Sequence, residues 1–413
     1  MKVRYFTNTL STGQKVIACP KKDSNTAVFN IIYNVGSKDE SPEKTGLAHL
    51  LEHLMFGGTK TIQNYDRELE AVGGMNNAFT SQDVTNYYDI LPAKNIETAY
   101  WLESDRMSNL DISQKSYDTQ QSVVIEEFKQ TTLNKPYGDI WNEVVELCFT
   151  EHPYQWATIG KSIKQLEDMK KSDAEDFYKE FYTASNSTIV VAGGVTPDQV
   201  FDLAEKWFAK NGSSKIYKRK SLPSEPCQTC KRVKTVKRNV PLKAIYMSYL
   251  GVPRNDPDFY PLETLSYILG HGQSSPLFQK LVIEDKVFSD IATYNSEHMH
   301  KGVFMIGGKL IDGVSFESAE EKVLQVLEWL KIDEKLDYLL EKAKNQLVAD
   351  RLTSNLDLSN IAHEIAFYDI LGDEDLINKT VENYKKITKK DILKVINDYL
   401  SEEKLNVLRY DKK

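Results

Sequence analysis

His49, Glu52 and His53 form an H-x-x-E-H inside the run T-G-L-A-H-L-L-E-H-L-M-F-G-G-T, residues 45–59. On a helix, positions i, i+3 and i+4 share a face. Two imidazoles and one carboxylate then converge on one small volume. Histidines four apart can grip one metal ion, and a carboxylate beside them can take a proton from a water on that ion. A solvated helix face is the plainer reading of three polar residues. The flanks oppose it: Leu47, Ala48, Leu50, Leu51, Leu54, Met55 and Phe56 make the helix apolar nearly all round, as buried helices are. Buried polar side chains need partners, and a metal supplies one.

Two histidines leave a catalytic metal underliganded, because such sites take three protein ligands and a water. The run S-V-V-I-E-E-F-K, residues 122–129, offers Glu126 and Glu127. It falls in a stretch of helical period from Ser116 to Leu133, with Val123, Val124 and Phe128 expected inward.

The surrounding elements must hold these two helices together. Residues 15–36 alternate and then run apolar, as strands do, and the N-terminal residues read as two strands around a Ser-Thr-Gly turn. Tyr65–Val72 reads as a helix closed by Gly73-Gly74. M-N-N-A-F-T-S-Q-D-V-T-N-Y-Y-D-I-L-P reads as strands, 95–107 as a helix, 172–182 as another, S-T-I-V-V-A-G-G as a strand, and 196–210 as an amphipathic helix with Pro in its first turn. Gly212-Ser-Ser, Pro223, Pro226 and a basic cluster break the pattern. The basic run 231–238 alternates, as an exposed strand does. A-I-Y-M-S-Y-L-G-V-P and a following apolar helix ending in Gly270-His-Gly then echo the first half, which suggests duplication. The expected fold is α+β, two homologous domains, each a mainly antiparallel sheet covered by helices. The expected division is 1–214 for the metal-binding catalytic domain, 215–238 for a linker, and 239–413 for a homologous domain without metal.

The 413 residues exceed one ordinary core, and 41% hydrophobic with 27% charged residues is usual for a globular protein. A net charge of -8 disfavours nucleic acid as a partner. No apolar run is long enough to span a bilayer, so no membrane partner is expected. The N-terminus lacks the apolar core of a secretory signal, which points to the cytoplasm, or to the periplasm had a signal been removed. Four cysteines, Cys19, Cys148, Cys227 and Cys230, do not make a disulfide scaffold. Cys227-Gln-Thr-Cys230 is a solitary C-x-x-C in a linker, a weak signal. His363-Glu364 lacks the second histidine of H-E-x-x-H and falls in an amphipathic helix. His298 and His300 alternate, as on a strand with exposed side chains.

The combination of motifs resembles the pitrilysin–insulinase family of metallopeptidases, which carries the inverzincin signature and includes the short two-domain bacterial members and the mitochondrial processing peptidases. The resemblance covers Gly36-Ser-Lys-Asp-Glu, 46–59, Gly73-Gly74-Met-Asn-Asn77-Ala78-Phe79-Thr80, Thr85-Asn-Tyr-Tyr, Glu103-Ser-Asp-Arg106-Met and His152-Pro-Tyr to Gly160, and more weakly Gly270-His-Gly-Gln-Ser-Ser-Pro-Leu-Phe-Gln. It implies one zinc ion per chain, held by His49, His53 and a glutamate ending a V-V-x-x-E segment. That glutamate is Glu127, 74 residues after His53, with Glu126 as the alternative register. It makes Glu52 the general base. Asn77 and Ala78 match edge-strand residues that contact a substrate main chain, and Phe56 an aromatic lining the pocket beyond the scissile bond. It also implies a clamshell of two halves around a peptide, hence a homodimer or a heterodimer with a related subunit.

Two departures bear on activity. Many family members carry an Arg and a Tyr seven apart that grip the substrate carbonyl; Val282 and Ser289 stand there. Gln120 stands where a supporting acid often precedes the third ligand. Three functions follow as expectations: a zinc endopeptidase for unfolded peptides, the metal-bearing subunit of a heterodimer whose partner brings the Arg-Tyr pair, or a non-catalytic peptide-binding relative.

Overall fold

The computed structural model describes residues 2–209 and 217–413. They fall into two compact units. Unit 1 comprises Met1–Phe128, Trp156–Leu222 and Leu352–Lys379; unit 2 comprises Lys129–Gln155, Pro223–Arg351 and Thr380–Lys413.

Unit 1 is built on a sheet of β1 (Phe6–Thr9), β2 (Lys15–Pro20), β3 (Thr26–Tyr33), β4 (Met75–Thr80), β5 (Thr85–Pro92) and β6 (Ser187–Gly193), in the order β1-β2-β6-β3-β5-β4. Only β2 and β6 run parallel; the other neighbours are antiparallel. The sequence of β6, S-T-I-V-V-A-G, is buried at every position, as a central strand covered on both faces must be. β4 is the edge strand, with Met75 left 65% exposed. It pairs with β5 alone, placing Asn77 opposite Tyr88 and Ala78 opposite Tyr87.

Unit 2 holds β7 (Arg232–Arg238), β8 (Ala244–Leu250), β9 (Phe288–Asn295), β10 (Val303–Leu310) and β11 (Asn406–Lys412), in the order β7-β11-β8-β10-β9. β7 and β11 are parallel and the rest antiparallel. Without β1, unit 1 has the same strand order and the same directions. Each repeat also places a helix after the equivalent strand: Leu47–Met55 follows β3, and Phe259–Gly270 follows β8. The second of these helices contains no histidine. The architecture is α+β, as its sequence pattern indicates.

The units are not the contiguous segments 1–214 and 239–413. Helix Leu358–Ile370 packs on β3 and β6 of unit 1, where Asp369 accepts from Thr188 Oγ1 (2.7 Å) and pairs with Lys15. Helix Ile140–Cys148 packs in unit 2, burying Val144, Val145 and Cys148 with Val236, Leu408 and Tyr410. A sheet buried on both faces needs a second layer, and in each unit part of that layer comes from the other half of the chain. Residues 232–238 of the expected linker are the edge strand β7, with alternating exposure. The expected boundary between 214 and 215 lies outside the described residues. The four cysteines are free. Among the described residues no helix is long and apolar enough to cross a membrane.

Candidate metal centre

The helix Leu47–Met55 buries Leu47, Ala48, Leu50, Leu51, Leu54 and Met55, so its orientation is fixed by packing on nearly every side. Its start is fixed by one carboxylate. Glu40 accepts the backbone N–H of Gly46 (3.0 Å) and of Ala48 (2.8 Å), and the indole N–H of Trp156 (3.0 Å). These amides are among those a helix leaves unsatisfied at its N-terminus. Gly46 itself has φ +94°, and a Cβ there would stand 2.9 Å from the Ile159 carbonyl oxygen. A left-handed residue in that space must be glycine.

With the helix start set, His49, Glu52 and His53 emerge on its one polar face, each partly buried. The second helix, Gln114–Phe128, buries Tyr117, Val124 and Phe128, which turns Glu127 toward the histidines. Glu127 Oε2 lies 3.4 Å from His53 Nε2 and 3.7 Å from His49 Nε2. One ligand atom from each residue fits within 4.8 Å of the other two, the only such group of three among the described residues. Tetrahedral zinc with bonds of about 2.1 Å sets its ligands about 3.4 Å apart. The two histidine–glutamate separations sit at that spacing, so the donor set fits a metal ion. Glu126 is exposed and outside the cluster, which contains Glu127. Val123 is 44% exposed rather than inward, because Val124 and Phe128 define the buried stripe.

Electrostatics suit the same reading. Burial pushes the His49 imidazole down to about 4, against the pull of Glu127, so it stays neutral and its ring nitrogen can donate a lone pair. The hydrogen bond to Glu127 raises His53, as do the Glu52 charge and a hydrogen bond to Gln120. The same bond from His53 holds Glu127 below the usual carboxylate range. Burial raises Glu52 above its ordinary value, opposed by the Thr80 hydroxyl, which donates to Glu52 Oε2. His49 Nδ1 is buried and makes no hydrogen bond, so the hold on this ring comes from packing.

The other expected residues have the following places. Asn77 and Ala78 lie on the edge strand β4, and Asn77 Oδ1 accepts the Ala78 N–H (2.8 Å). Phe56 ends the histidine helix, half-buried, with the Arg106 guanidinium 5.6 Å from its ring centroid. Val282 falls in the turn Phe278–Glu284 and Ser289 on β9, where its hydroxyl donates to the Lys309 carbonyl (3.3 Å). His298 and His300 are not on a strand; they sit half-buried after β9, with ring contacts to Tyr154 and His152. His363 is on a helix, its ring 4.8 Å from that of Phe79. Three residues lacked a local signal in the sequence: Glu40, Trp156 and Thr80. Each lay inside a stretch that resembled the family, but its role depends on a contact distant in sequence.

The insulinase (peptidase family M16) profile matches residues 16–163, and the profile of the peptidase M16 inactive domain matches 168–347. The chain belongs to the insulinase family of peptidases. Within the family it is similar to zinc protease PqqE of Helicobacter pylori, 28% identical over 95% of this chain and 90% of the relative. It is also similar to a probable mitochondrial-processing peptidase subunit beta of Arabidopsis thaliana, 26% identical over 72% of this chain and 57% of the relative. The solved structure of a protease from Helicobacter pylori superposes with a TM-score of 0.93 at 26% identity, covering all of both chains. A peptidase M16 inactive domain from Pseudomonas fluorescens shares the fold at 16% identity, with a TM-score of 0.86 over 100% of this chain and 99% of that one. Two-domain insulinase-family chains thus share this architecture throughout, and the histidine pair falls within the segment matched by the insulinase profile.

Proposed function

We propose that this chain is a zinc-dependent endopeptidase that cleaves unfolded peptides. The observation that carries the reading is the convergence of His49, His53 and Glu127, from two helices, beside the half-buried carboxylate of Glu52. Zinc is the metal the donor set favours: two imidazoles and one carboxylate, which leave the fourth tetrahedral position to a water. When bound, it supplies Lewis-acid polarisation and lowers the pKa of the attacking water. Glu52 takes the proton from that water and returns it to the leaving amine. Thr80 keeps Glu52 oriented through its hydroxyl. An extended peptide adds to the open edge of β4, where the Asn77 carboxamide now caps the Ala78 amide and would yield it to a substrate carbonyl. Phe56 forms part of the pocket wall beyond the scissile bond.

A second reading is favoured by Val282 and Ser289. Neither can grip a substrate oxygen as an Arg-Tyr pair does, so the pair comes from a partner chain. In that reading the enzyme works as a heterodimer, with this chain as the metal-bearing half; one relative is by its name a subunit. A homodimer would lack the pair on both sides. Either arrangement encloses the peptide in a clamshell.

Quenched-peptide cleavage with added zinc, with and without chelator, tests the proposal. Glu52→Gln should retain the metal and lose nearly all cleavage; normal turnover in that variant removes Glu52 as the base. Activity that appears only with a related second chain present selects the heterodimer.

A further inference from the structure

The edge strand β4 presents two different faces. Side chains alternate along a strand, and three contacts identify the sides. Thr80 donates to Glu52, and Asn76 Nδ2 donates to Asp66 Oδ1 (2.8 Å), so Asn76, Ala78 and Thr80 face the histidine helix and the short helix Tyr65–Glu70. The Phe79 ring lies against His363 of helix Leu358–Ile370, so Met75, Asn77 and Phe79 face the other way. Strand and helix both belong to unit 1. That helix packs on β3 and β6, further into the sheet. At the edge the second face is therefore accessible: Met75 and Asn77 are exposed, and Phe79 and His363 are half-buried.

A peptide that adds to β4 continues the alternation. Phe56 stands on the histidine-helix side, its ring 6.2 Å from that of Tyr87, and Tyr87 pairs opposite Ala78. A residue just after the scissile bond, seated at Phe56, is thus level with Ala78 and points to that side. The bond itself lies toward Thr80, where Glu52 is held. The residue before the bond is then level with Phe79, and its side chain points to the opposite face, at Phe79 and His363. The two rings stand there at 80° with their centroids 4.8 Å apart, a corner that offers one ring face and one ring edge. Aromatic side chains favour this mixture of face and edge contacts. The cross-strand pairs on this face, Met75–Ile90, Asn77–Tyr88 and Phe79–Asn86, carry no charge, so a charged substrate side chain finds no opposite charge among them.

We infer that the Phe79–His363 corner selects an aromatic side chain immediately before the scissile bond, so that the chain cuts after phenylalanine or tyrosine. The inference rests on the peptidase reading, with β4 as the substrate edge, and adds a substrate class to it. His363 is then a specificity-determining residue, brought to the edge strand from almost 300 residues further along the chain.

Cut sites test it. The zinc-loaded full chain digests a mixture of unfolded peptides, and mass spectrometry maps the new ends, which should follow phenylalanine and tyrosine. For two quenched peptides that differ only in the residue before the bond, kcat/KM should be at least about tenfold higher with phenylalanine than with alanine. His363→Ala removes one wall of the corner and should lower that ratio by about three- to tenfold. His363→Phe keeps a ring there and should preserve it. A purely structural role for His363 would lower both rates and leave the ratio as it was. An unchanged ratio in His363→Ala, or parent cuts without preference for an aromatic residue, overturns the inference and leaves the peptidase reading standing. No cleavage of any peptide, with or without a related second chain, overturns the peptidase reading and this inference with it. Should His363→Ala fail to fold, the cut-site map of the parent carries the test alone.

Discussion

Replacing Glu40 by alanine should loosen the helix that carries both histidines without touching a proposed ligand. One carboxylate there receives three buried donors: the Gly46 and Ala48 amides and the Trp156 indole. The indole also donates to the Ser37 carbonyl (2.9 Å), so alanine leaves two donors unpartnered, the Gly46 and Ala48 amides; each costs about 1–3 kcal/mol in the interior, and a lost N-cap alone costs about 0.5–2 kcal/mol. Alanine also removes a carboxylate whose burial is unfavourable, so the net loss is below the sum, about 2–4 kcal/mol. For a unit of this size that lowers the melting temperature by roughly 10 °C. The chain has five tryptophans, so the melt is followed by circular dichroism rather than by intrinsic fluorescence. Asp391→Ala is the control: Asp391 in unit 2 caps helix Lys389–Tyr399 by accepting the Thr388 N–H (2.8 Å), and should cost about 1 kcal/mol or less. If Glu40→Ala melts within a degree or two of the parent, the carboxylate does not set the start of the histidine helix.

Gly46→Ala should destabilise unit 1 by about 2–4 kcal/mol, from the left-handed φ and the close approach to the Ile159 carbonyl; a denaturant midpoint equal to the parent's would contradict this. Gln120→Glu, which sets an anion beside His53, should tighten zinc binding by about 10-fold or more, measured by competition with a chromophoric chelator; weaker binding would show that Gln120 is not a support for that ring. Phe128→Ala, which hollows the buried stripe behind Glu127, should cost about 3–5 kcal/mol and lower zinc occupancy at a fixed zinc concentration, read by chelator competition and a melt on the same sample.

The histidine helix was legible because its information is local: a polar triplet at helical spacing in an apolar run admits few other structures. The hairpin of β4 and β5, and β6 with its unbroken S-T-I-V-V-A-G, were legible for the same reason. Glu127 was not local. Period alone placed Glu126 and Glu127 on adjoining faces of one helix, and resemblance to a family was needed to prefer one. The wrong orientation of Val123 has the same origin, since a run of two valines does not say which one faces the core. The unit boundaries were hidden more deeply. Nothing in the residues of Leu358–Ile370 says that they cover a sheet formed more than 150 residues earlier, because an apolar face records that it is buried and not against what. His298 and His300 alternate in sequence, but the strand ends at Asn295 and their rings gather with Tyr154 and His152.

Equilibrium dialysis against zinc followed by elemental analysis tests the central claim most directly. The parent chain should hold one zinc ion at the centre formed by His49, His53 and Glu127, and Glu127→Ala, with an unchanged circular dichroism spectrum, should lose most of it. A fully loaded Glu127→Ala protein, or a folded parent that retains no zinc, would contradict the account.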